Sequence, residues 1–273
     1  MSFRHRLRRV LPPVLVEELR RISAGGIRFS GDYPNWQVAC GDAIGYGSEE
    51  ILRRVTDATR QVVAGKAAFE RDSVLFAKLA YPYPLLAALL RAAALNGGHL
   101  RVIDFGGSLG STFRQCRPFL DGLASIRWCV VEQPGFADVG AKEFSTKELF
   151  FAASPGGVFM KMQGGVALLS SVLQYVENPV HVLDELAQTG ATSLVIDRTP
   201  LSQLSRDRLC VQTVPAKIYT ASYPAWIFSR DKLMSTLARD WRLLAEFDSE
   251  EAEFLTRDRL RFRFCGSLWE RAK

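Results

Sequence analysis

A glycine-rich turn is the part of the sequence best suited to bind a ligand: Asp104–Gly110, which reads Asp-Phe-Gly-Gly-Ser-Leu-Gly. It follows an apolar strand predicted at Arg101–Phe105 and precedes a helix predicted at Ser111–Leu123. Glycines suit such a turn because a side chain would keep a ligand away from the backbone. In a parallel α/β sheet, ligands bind outside the carboxyl ends of the strands, where this turn lies. The turn by itself predicts a nucleotide-like ligand.

A carboxylate at the end of the next predicted strand makes this prediction more specific. Glu132 ends the strand predicted at Ile126–Glu132, and Gln133 follows it. A carboxylate in this position can accept hydrogen bonds from both ribose hydroxyls of an adenosine. The turn and the acid together therefore predict an adenosine-containing cofactor.

The spacing of the glycines distinguishes two classes of cofactor. A dinucleotide site needs Gly-x-Gly-x-x-Gly to seat a pyrophosphate at a helix N-terminus. Gly106, Gly107 and Gly110 do not have that spacing. The turn instead resembles the acidic-x-Gly-x-Gly-x-Gly motif of class I S-adenosylmethionine-dependent methyltransferases, with Ser108 in place of the middle glycine. The resemblance implies that Asp104 orients the loop or binds the methionyl ammonium through water.

The resemblance extends beyond the turn, from about Phe29 to Phe247. It is carried by segments that follow one another in the order and spacing of class I strands, together with two flanking motifs: Val130–Gln133, Leu168–Tyr175, Ile196–Pro200, Phe69–Ser73 and Tyr219–Trp226. The whole resembles a bacterial family of methyltransferases that is often associated with surface-polysaccharide genes. It implies a doubly wound, Rossmann-like α/β sheet with strand order 3-2-1-4-5-7-6, whose last-but-one strand is antiparallel.

The resemblance also implies which residues contact S-adenosyl-L-methionine. Ser170, Ser171 and Gln174 follow the fourth strand, where this fold contacts the methionine moiety and the methyl group. They join the residues of the turn and of the second strand in one predicted cofactor site: Asp104, Gly106, Gly107, Ser108, Gly110, Glu132, Gln133, Ser170, Ser171 and Gln174.

Three titratable residues near the fourth and fifth strands are candidates for catalysis. Asp197 and Arg198 end the fifth strand, where Asp197 could act as a base or anchor the acceptor and Arg198 could bind an anionic or hydroxylated substrate. A structural ion pair between them is the alternative. His181 lies near the start of a predicted helix, either as a base or as a surface or capping residue. Methyl transfer needs a general base only when the acceptor is a poor nucleophile such as a hydroxyl.

Two segments are predicted to contact the acceptor. Glu70, Arg71 and Asp72 lie in an apolar stretch predicted to be helical from Lys66 to Leu79, either over the cleft or as a solvated helix face. Tyr219, Tyr223 and Trp226 lie in a segment after Arg198 that reads as irregular as far as Phe228. These aromatic rings could stack on sugar faces, and packing of a long loop explains them almost equally well.

The remaining pattern divides the chain at about residue 98. Residues 1–98 read as a basic segment and a helical lid, and residues 99–273 as the Rossmann-like core. Further elements are predicted with these bounds: helices at Ser48–Val63, Pro84–Leu95, Pro179–Gln188 and Arg230–Arg239, and strands at Val166–Ser170, Ser193–Asp197, Arg242–Phe247 and Arg259–Leu268.

Composition and charge exclude several classes of protein. Hydrophobic residues make up 48% of the 273 residues, which is ordinary for a globular domain. The five cysteines are scattered without metal-ligand spacing, so we expect neither a metal site nor disulfides, and a cytoplasmic protein. The net charge is +6, and residues 1–28 hold seven arginines against two glutamates. Because the rest of the chain is nearly neutral, a nucleic-acid partner is not expected.

The basic N-terminal segment has two interpretations. It is either a solvated arginine cluster or a peripheral contact with the anionic inner face of a membrane. Vesicle sedimentation of the whole chain and of a chain without residues 1–28 separates them, because equal partitioning would exclude the membrane contact.

The sequence therefore predicts a methyltransferase that acts on a hydroxyl of a saccharide, a glycan or a related small molecule. Two alternatives remain open. A nicotinamide-dependent oxidoreductase is disfavoured by the glycine spacing and by the lack of a Tyr-x-x-x-Lys pair. A non-catalytic protein of the same fold could serve as a scaffold in glycan assembly.

Overall fold

The computed structural model describes residues 26–44, 49–154, 164–215, 221–249 and 253–272. The basic segment up to residue 25, the first residue Ser48 of a predicted helix and the candidate Tyr219 lie outside these ranges. The described helices are α1 (Trp36–Gly41), α2 (Glu49–Val63), α3 (Tyr83–Leu95), α4 (Ser111–Cys116), α5 (Pro134–Val139), α6 (Pro179–Ala187) and α7 (Arg230–Leu237).

A seven-stranded sheet forms the centre of the fold, with its apolar strands buried. Its strands are β4 (His99–Phe105), β5 (Ser125–Val131), β6 (Leu149–Ala152), β7 (Val166–Ser170), β8 (Ser193–Ser202), β11 (Trp241–Asp248) and β13 (Arg261–Arg271). The pairing order is β6-β5-β4-β7-β8-β13-β11. The first five strands run parallel, and β13 is antiparallel to both of its neighbours. The predicted order 3-2-1-4-5-7-6 is therefore confirmed.

Both faces of this sheet are covered, as a parallel sheet requires. Successive residues of β7 point to opposite faces, so that Leu168 belongs to one core cluster and Leu169 to another. Helices α3 and α4 pack into the first cluster, and α6 and α7 pack into the second. The α/β doubly wound fold class follows directly from this arrangement.

Two segments differ from the sequence-based prediction. The helix expected at Lys66–Leu79 is a hairpin of β2 (Phe69–Arg71) and β3 (Val74–Phe76). Its turn residues, Asp72 and Ser73, have φ of 50° and 66°, which a helix cannot accommodate. The helix predicted as far as Leu123 ends at Cys116 and continues as a 3₁₀ turn at Arg117–Phe119.

The stretch after Arg198 is regular, contrary to expectation. Strand β8 continues to Ser202 and is followed by β9 (Arg208–Val214) and β10 (Ala221–Ser229). Strand β1 (Arg28–Ser30) pairs with β9, β9 pairs with β10, and the end of β10 pairs in parallel with the end of β8. A short strand, β12 (Phe254–Leu255), pairs with β13. We call β1, β9 and β10 the side sheet, because it extends the central sheet beyond the carboxyl end of β8.

The core around α3 offers a direct test of this packing. Leu89 is fully buried in it, whereas Leu95 at the end of the same helix is 67% exposed. We expect Leu89→Ala to lower the free energy of unfolding by about 2–5 kcal/mol, because it removes buried methyl groups and leaves a cavity. Leu95→Ala should change it by less than about 0.5 kcal/mol. Urea unfolding measures both, and equal losses would contradict the placement of α3.

Candidate functional site

A cavity of about 960 Å³ lies at the carboxyl ends of the parallel strands. Gly106, Glu132, Ser170 and Arg198, which come from four neighbouring strands or the turns after them, all line it. The parallel register places these strand ends side by side, with Phe105 opposite Val131 and Ser170 opposite Asp197. This is where the fold is expected to hold a ligand.

The glycines of the turn are required by its close packing. Gly106 has φ of 71°, and a Cβ built on it would overlap with Val172. Gly110 has φ of 85° at the N-cap of α4, where a Cβ would come within 2.8 Å of Leu149 Cδ2. A Cβ on Gly107 would overlap with the carboxylate of Asp104 beneath it. The turn is thus held close to the strands, with its backbone on the cavity wall.

Ser108 keeps the backbone conformation that a glycine would adopt. Its φ is 54°, in the left-handed region that costs an L-residue about 1–2 kcal/mol. Its backbone N–H donates to Glu132 Oε1 at 3.2 Å. This bond joins the turn after β4 to the end of β5 and offsets part of that cost.

Glu132 is fixed by the backbone on both sides. Its other oxygen, Oε2, accepts a hydrogen bond from the Gln133 N–H at 2.9 Å. Burial raises the pKa of Glu132, and the two backbone hydrogen bonds oppose this shift. Glu132 and Gln133 both line the cavity. A carboxylate held in this way has a fixed orientation and remains able to accept further hydrogen bonds from a ligand.

Asp104 lies beneath the turn and does not line the cavity. It is 1% exposed, and its Oδ2 accepts a hydrogen bond from Trp128 Nε1 at 2.9 Å. Its Oδ1 is buried without a hydrogen-bond partner among the described residues. Burial raises the pKa of Asp104 to about 7. Of the two predicted roles, supporting the loop agrees with this position.

Ser170, Asp197 and Arg198 form a hydrogen-bonded group at the ends of β7 and β8. Ser170 Oγ donates to Asp197 Oδ2 at 2.9 Å and accepts from Arg198 Nη2 at 3.2 Å. The Arg198 Nε lies 3.7 Å from Asp197 Oδ2. Ser170 and Arg198 line the cavity, whereas Asp197 is 7% exposed behind them. The structural ion pair considered from the sequence is present, and it holds Arg198 against the cavity.

Gln174 supports the neighbouring wall from behind. It is fully buried and donates through Nε2 to Ser171 Oγ at 3.2 Å and to the Arg198 carbonyl at 3.4 Å. Ser171 itself lines the cavity, and its backbone N–H donates to the Asp197 carbonyl at 2.9 Å. Gln174 thus orders the residues of the site without facing the cavity.

Backbone strain is concentrated around the cavity. The described chain contains six non-glycine residues with positive φ, and four of them line the cavity: Asp72, Ser108, Ser171 and Arg198. Such conformations cost of order 1–3 kcal/mol each and persist where the surrounding structure requires them, often at functional sites. The clustering therefore supports a functional role for this cavity.

The hairpin of β2 and β3 covers one side of the site. Arg71 and Asp72 line the cavity, whereas Glu70 is 5% exposed and faces away from it. Glu70 accepts hydrogen bonds from Ser111 Oγ and from the Ser73 N–H. Burial raises its pKa. Glu70 therefore attaches the hairpin to the first residue of α4, directly after the glycine turn.

Of the other predicted residues, Tyr223 lines the cavity, whereas His181 and Trp226 do not. The His181 side chain is 66% exposed, with its Nε2 3.6 Å from Glu185 Oε1, and it does not line the cavity. Trp226 stacks on Trp36 at 6.2 Å and donates from Nε1 to the Val176 carbonyl at 3.1 Å. Tyr223 lines the cavity from β10. The surface alternative considered for His181 agrees with this exposure, and the N-cap of α6 is Asn178, whose Oδ1 accepts from the His181 backbone N–H.

Several lining residues were missed from the sequence. Gln212 in β9, Trp36 in α1 and Phe254 in β12 belong to elements that the apolar pattern did not identify. Tyr175 belongs to the Leu168–Tyr175 segment, whose match to the family gave no sign that this ring would line the cavity. The short apolar run Leu209–Val211, followed by the β-branched residues Thr213 and Val214, is the signal that could have located β9.

Metal-binding clusters and membrane-spanning helices are both absent from the described residues. These residues contain no group of three or more His, Cys, Asp or Glu residues that could hold a metal ion. None of the described helices combines the length and the apolar character needed to cross a membrane.

Comparison with known proteins gives distant structural likenesses. No protein family and no curated protein matches the sequence. The N-terminal domain of EvdMO1, solved with SAH and D-fucose, is similar at 15% identity over 84% of this chain and 98% of that one, with a TM-score of 0.46. CalS10, an amino pentose methyltransferase from Micromonospora echinaspora solved with SAM, is 10% identical over 69% and 91%, with a TM-score of 0.44.

NodS, an N-methyltransferase from Bradyrhizobium japonicum solved with S-adenosyl-L-homocysteine, is 12% identical over 71% of this chain and 89% of that one, with a TM-score of 0.42.

The shifted pKa of Asp104 predicts a pH dependence of stability. The pKa is about 7 in the folded chain against 3.8 for an ordinary aspartate, so the folded state binds this proton more tightly. The resulting stability is fully present below pH 3.8 and is lost as the pH rises through about 7. Asp104→Asn stays neutral, so relative to wild type it should gain up to about 4 kcal/mol between pH 4 and 8.

Urea unfolding at several pH values measures this difference. Asp231→Asn removes a carboxylate that is 88% exposed and corrects for the general effect of losing a negative charge. A difference between wild type and Asp104→Asn that does not change with pH would contradict the buried, proton-binding carboxyl.

Proposed function

We propose that the chain is an S-adenosylmethionine-dependent methyltransferase. The observation that carries the proposal is the joint geometry of the turn and Glu132, in which a backbone-fixed carboxylate and a glycine turn line the same cavity. A carboxylate at the end of the second strand suits the two hydroxyls of an adenosine ribose. The turn lacks the glycine spacing that seats a pyrophosphate, which disfavours a dinucleotide.

The residues at the carboxyl ends of the strands fit this cofactor. Backbone groups of Gly106, Gly107 and Ser108 form a wall without bulky side chains, as a closely bound nucleoside requires. Glu132 would hold the ribose and Gln133 would flank it, while Ser170 and Ser171 would face the methionine part. When bound, S-adenosylmethionine would supply an electrophilic sulfonium methyl group, whose carbon a nucleophilic atom of the acceptor would attack, with the thioether S-adenosylhomocysteine as the leaving group.

The contribution of the chain is alignment and, for a hydroxyl acceptor, removal of a proton. Holding the acceptor in line can supply much of the rate enhancement in such a displacement. Arg198 lines the cavity and is oriented by Asp197 through Ser170, so this group would position the acceptor oxygen. Asp197 is the carboxylate that could receive the proton, with Ser170 Oγ between it and the cavity. His181 has no part in this scheme, because it lies outside the cavity lining.

The acceptor in this proposal is a hydroxylated small molecule of the saccharide or glycan class, as the family resemblance implies. Arg71 and Asp72 on the hairpin and Tyr223 in the side sheet would contact it. A role in surface-polysaccharide synthesis, a cytoplasmic location and a membrane contact through residues 1–28 are part of the same hypothesis.

Calorimetric titration tests the cofactor assignment. Wild type should bind S-adenosyl-L-homocysteine and not NAD. Glu132→Ala should weaken this binding by about 1–3 kcal/mol, because a charged hydrogen-bond acceptor is lost. Glu132→Gln keeps one acceptor oxygen and should lose less.

Glu246→Ala is the matched control, because this carboxylate lies in β11 and does not line the cavity. It should bind S-adenosyl-L-homocysteine as wild type does. Binding of NAD alone would support the oxidoreductase and refute the proposal, and binding of neither ligand would favour the scaffold. An unchanged affinity in Glu132→Ala would show that the ribose site is misplaced.

A further inference from the structure

We propose that the acceptor is an uncharged amphiphilic molecule, in which a hydroxyl other than the one positioned by Arg198 is bound by Gln212 and the apolar part lies against Phe29, Phe254 and Phe264. This inference rests on the proposed function, which assigns the other end of the cavity to the cofactor. It narrows the acceptor to two kinds of molecule. One is a hydroxylated ring that carries an apolar substituent, and the other is a hydroxylated ring that is itself apolar.

An aromatic pocket forms the part of the cavity next to β13, which lies three strands away from β4 in the sheet. Phe29, Phe254 and Phe264 line it. Their rings pack together, with centroids 6.3 Å apart for Phe29 and Phe254 and 5.1 Å apart for Phe254 and Phe264. Trp36 adds a further aromatic ring to the lining. Burying an apolar or aromatic group of a ligand against such a surface lowers the free energy of the complex.

Tyr175 connects this pocket to the cofactor end. It is the last residue of the 3₁₀ turn Leu173–Tyr175 and follows Val172 by three residues. The Val172 side chain packs against Gly106. The Tyr175 ring packs against the cluster that contains Phe29 and Phe264, and meets the Tyr223 ring edge-on at 5.1 Å. An acceptor beside Tyr175 would therefore reach both the aromatic pocket and the cofactor site.

Gln212 is the polar group at the centre of this wall. It is 3% exposed, lines the cavity and links two tyrosines: Tyr175 OH donates to its Oε1 at 3.0 Å, and its Nε2 donates to Tyr223 OH at 3.2 Å. An amide has two N–H hydrogens and two lone pairs on its oxygen. One hydrogen and one lone pair therefore remain for a ligand hydroxyl.

The charges that line the cavity favour an uncharged acceptor. Among the residues that the structure describes, they are the cations Arg71 and Arg198 and the acids Asp72, Glu132 and Glu185. Arg198 already contacts Asp197 and Ser170. A nucleotide-linked sugar would bring a pyrophosphate with about two negative charges, and burying it without matching cations is costly. The acceptor end therefore suits a molecule without phosphate.

The phenylalanine side of the cavity also limits the number of hydroxyls that can be paired. A free monosaccharide carries hydroxyls around its whole ring, and each one that is buried without a partner costs about 1–3 kcal/mol. The phenylalanines offer it no hydrogen bonds. A glycoside with an apolar aglycone, or a hydroxylated aromatic ring, offers a hydroxyl to Gln212 and an apolar surface to the phenylalanines.

Binding of simple probes to the full chain, saturated with S-adenosyl-L-homocysteine, tests the proposal by ligand-observed NMR. The probes are para-cresol, toluene and glucose, which carry a ring with a hydroxyl, the ring alone and hydroxyls alone. Para-cresol should bind about five- to tenfold more tightly than toluene, the worth of one hydrogen bond, and at least about tenfold more tightly than glucose. Glucose that binds as tightly as para-cresol would overturn the proposal.

Two variants separate the contribution of Gln212 to probe binding from that of the phenylalanines. Gln212→Leu should abolish the preference for para-cresol over toluene, whereas Phe254→Ala should weaken both probes and keep their ratio. Gln61→Leu, an exposed glutamine in α2, is the matched control and should behave as wild type. A preference that survives in a folded Gln212→Leu would contradict the role of Gln212. If Gln212→Leu does not fold, the three probes on wild type and Phe254→Ala still decide.

The two levels of the proposal fail separately. Loss of S-adenosyl-L-homocysteine binding in wild type would overturn the proposed function, whatever the probes do. Normal S-adenosyl-L-homocysteine binding with a preference for glucose would overturn the acceptor assignment alone.

Discussion

Fixing the turn after β4 is the constraint on which the rest of the site depends. Asp104 supports it from beneath Gly107, and Glu132 holds its Ser108 N–H from the side. Burial raises the pKa of both carboxyls, so both are kept in place at an electrostatic cost. The parallel pairing of β4 and β5 brings the two acids to adjacent strand ends. A turn held in this way presents its backbone to the cavity in one conformation, which is the preorganisation that ligand binding requires.

The same turn anchors what surrounds it. Ser111 begins α4 and donates to Glu70, so the hairpin of β2 and β3 is attached to the residue that follows the turn. Val172 packs over Gly106 and belongs to the wall that continues to Tyr175. The hairpin and the side sheet are therefore placed relative to the turn by direct contacts. This explains how one cavity can combine a cofactor end and an acceptor end.

The central sheet could be predicted from the sequence, whereas the acceptor end could not. Strands such as Val166–Ser170 are short apolar runs, because they are buried on both faces. The hairpin was misread because Phe69–Phe76 carries apolar residues at spacings that also fit a helix, and only the positive φ of Asp72 and Ser73 distinguishes the two. Strand β10 contains Pro224, a residue that is unfavourable inside a sheet, yet its residues Ala221–Ile227 pair with β9. Ser108, which departs from the family motif, keeps a glycine-like φ, and its backbone N–H bond to Glu132 helps to hold that conformation.

A crystal structure of the chain with S-adenosyl-L-homocysteine tests the central claim most directly. The account predicts that the adenosine lies beside the Gly106–Ser108 backbone, with both ribose hydroxyls within hydrogen-bonding distance of the Glu132 carboxylate. A ribose bound away from Glu132, or a ligand outside this cavity, would contradict it.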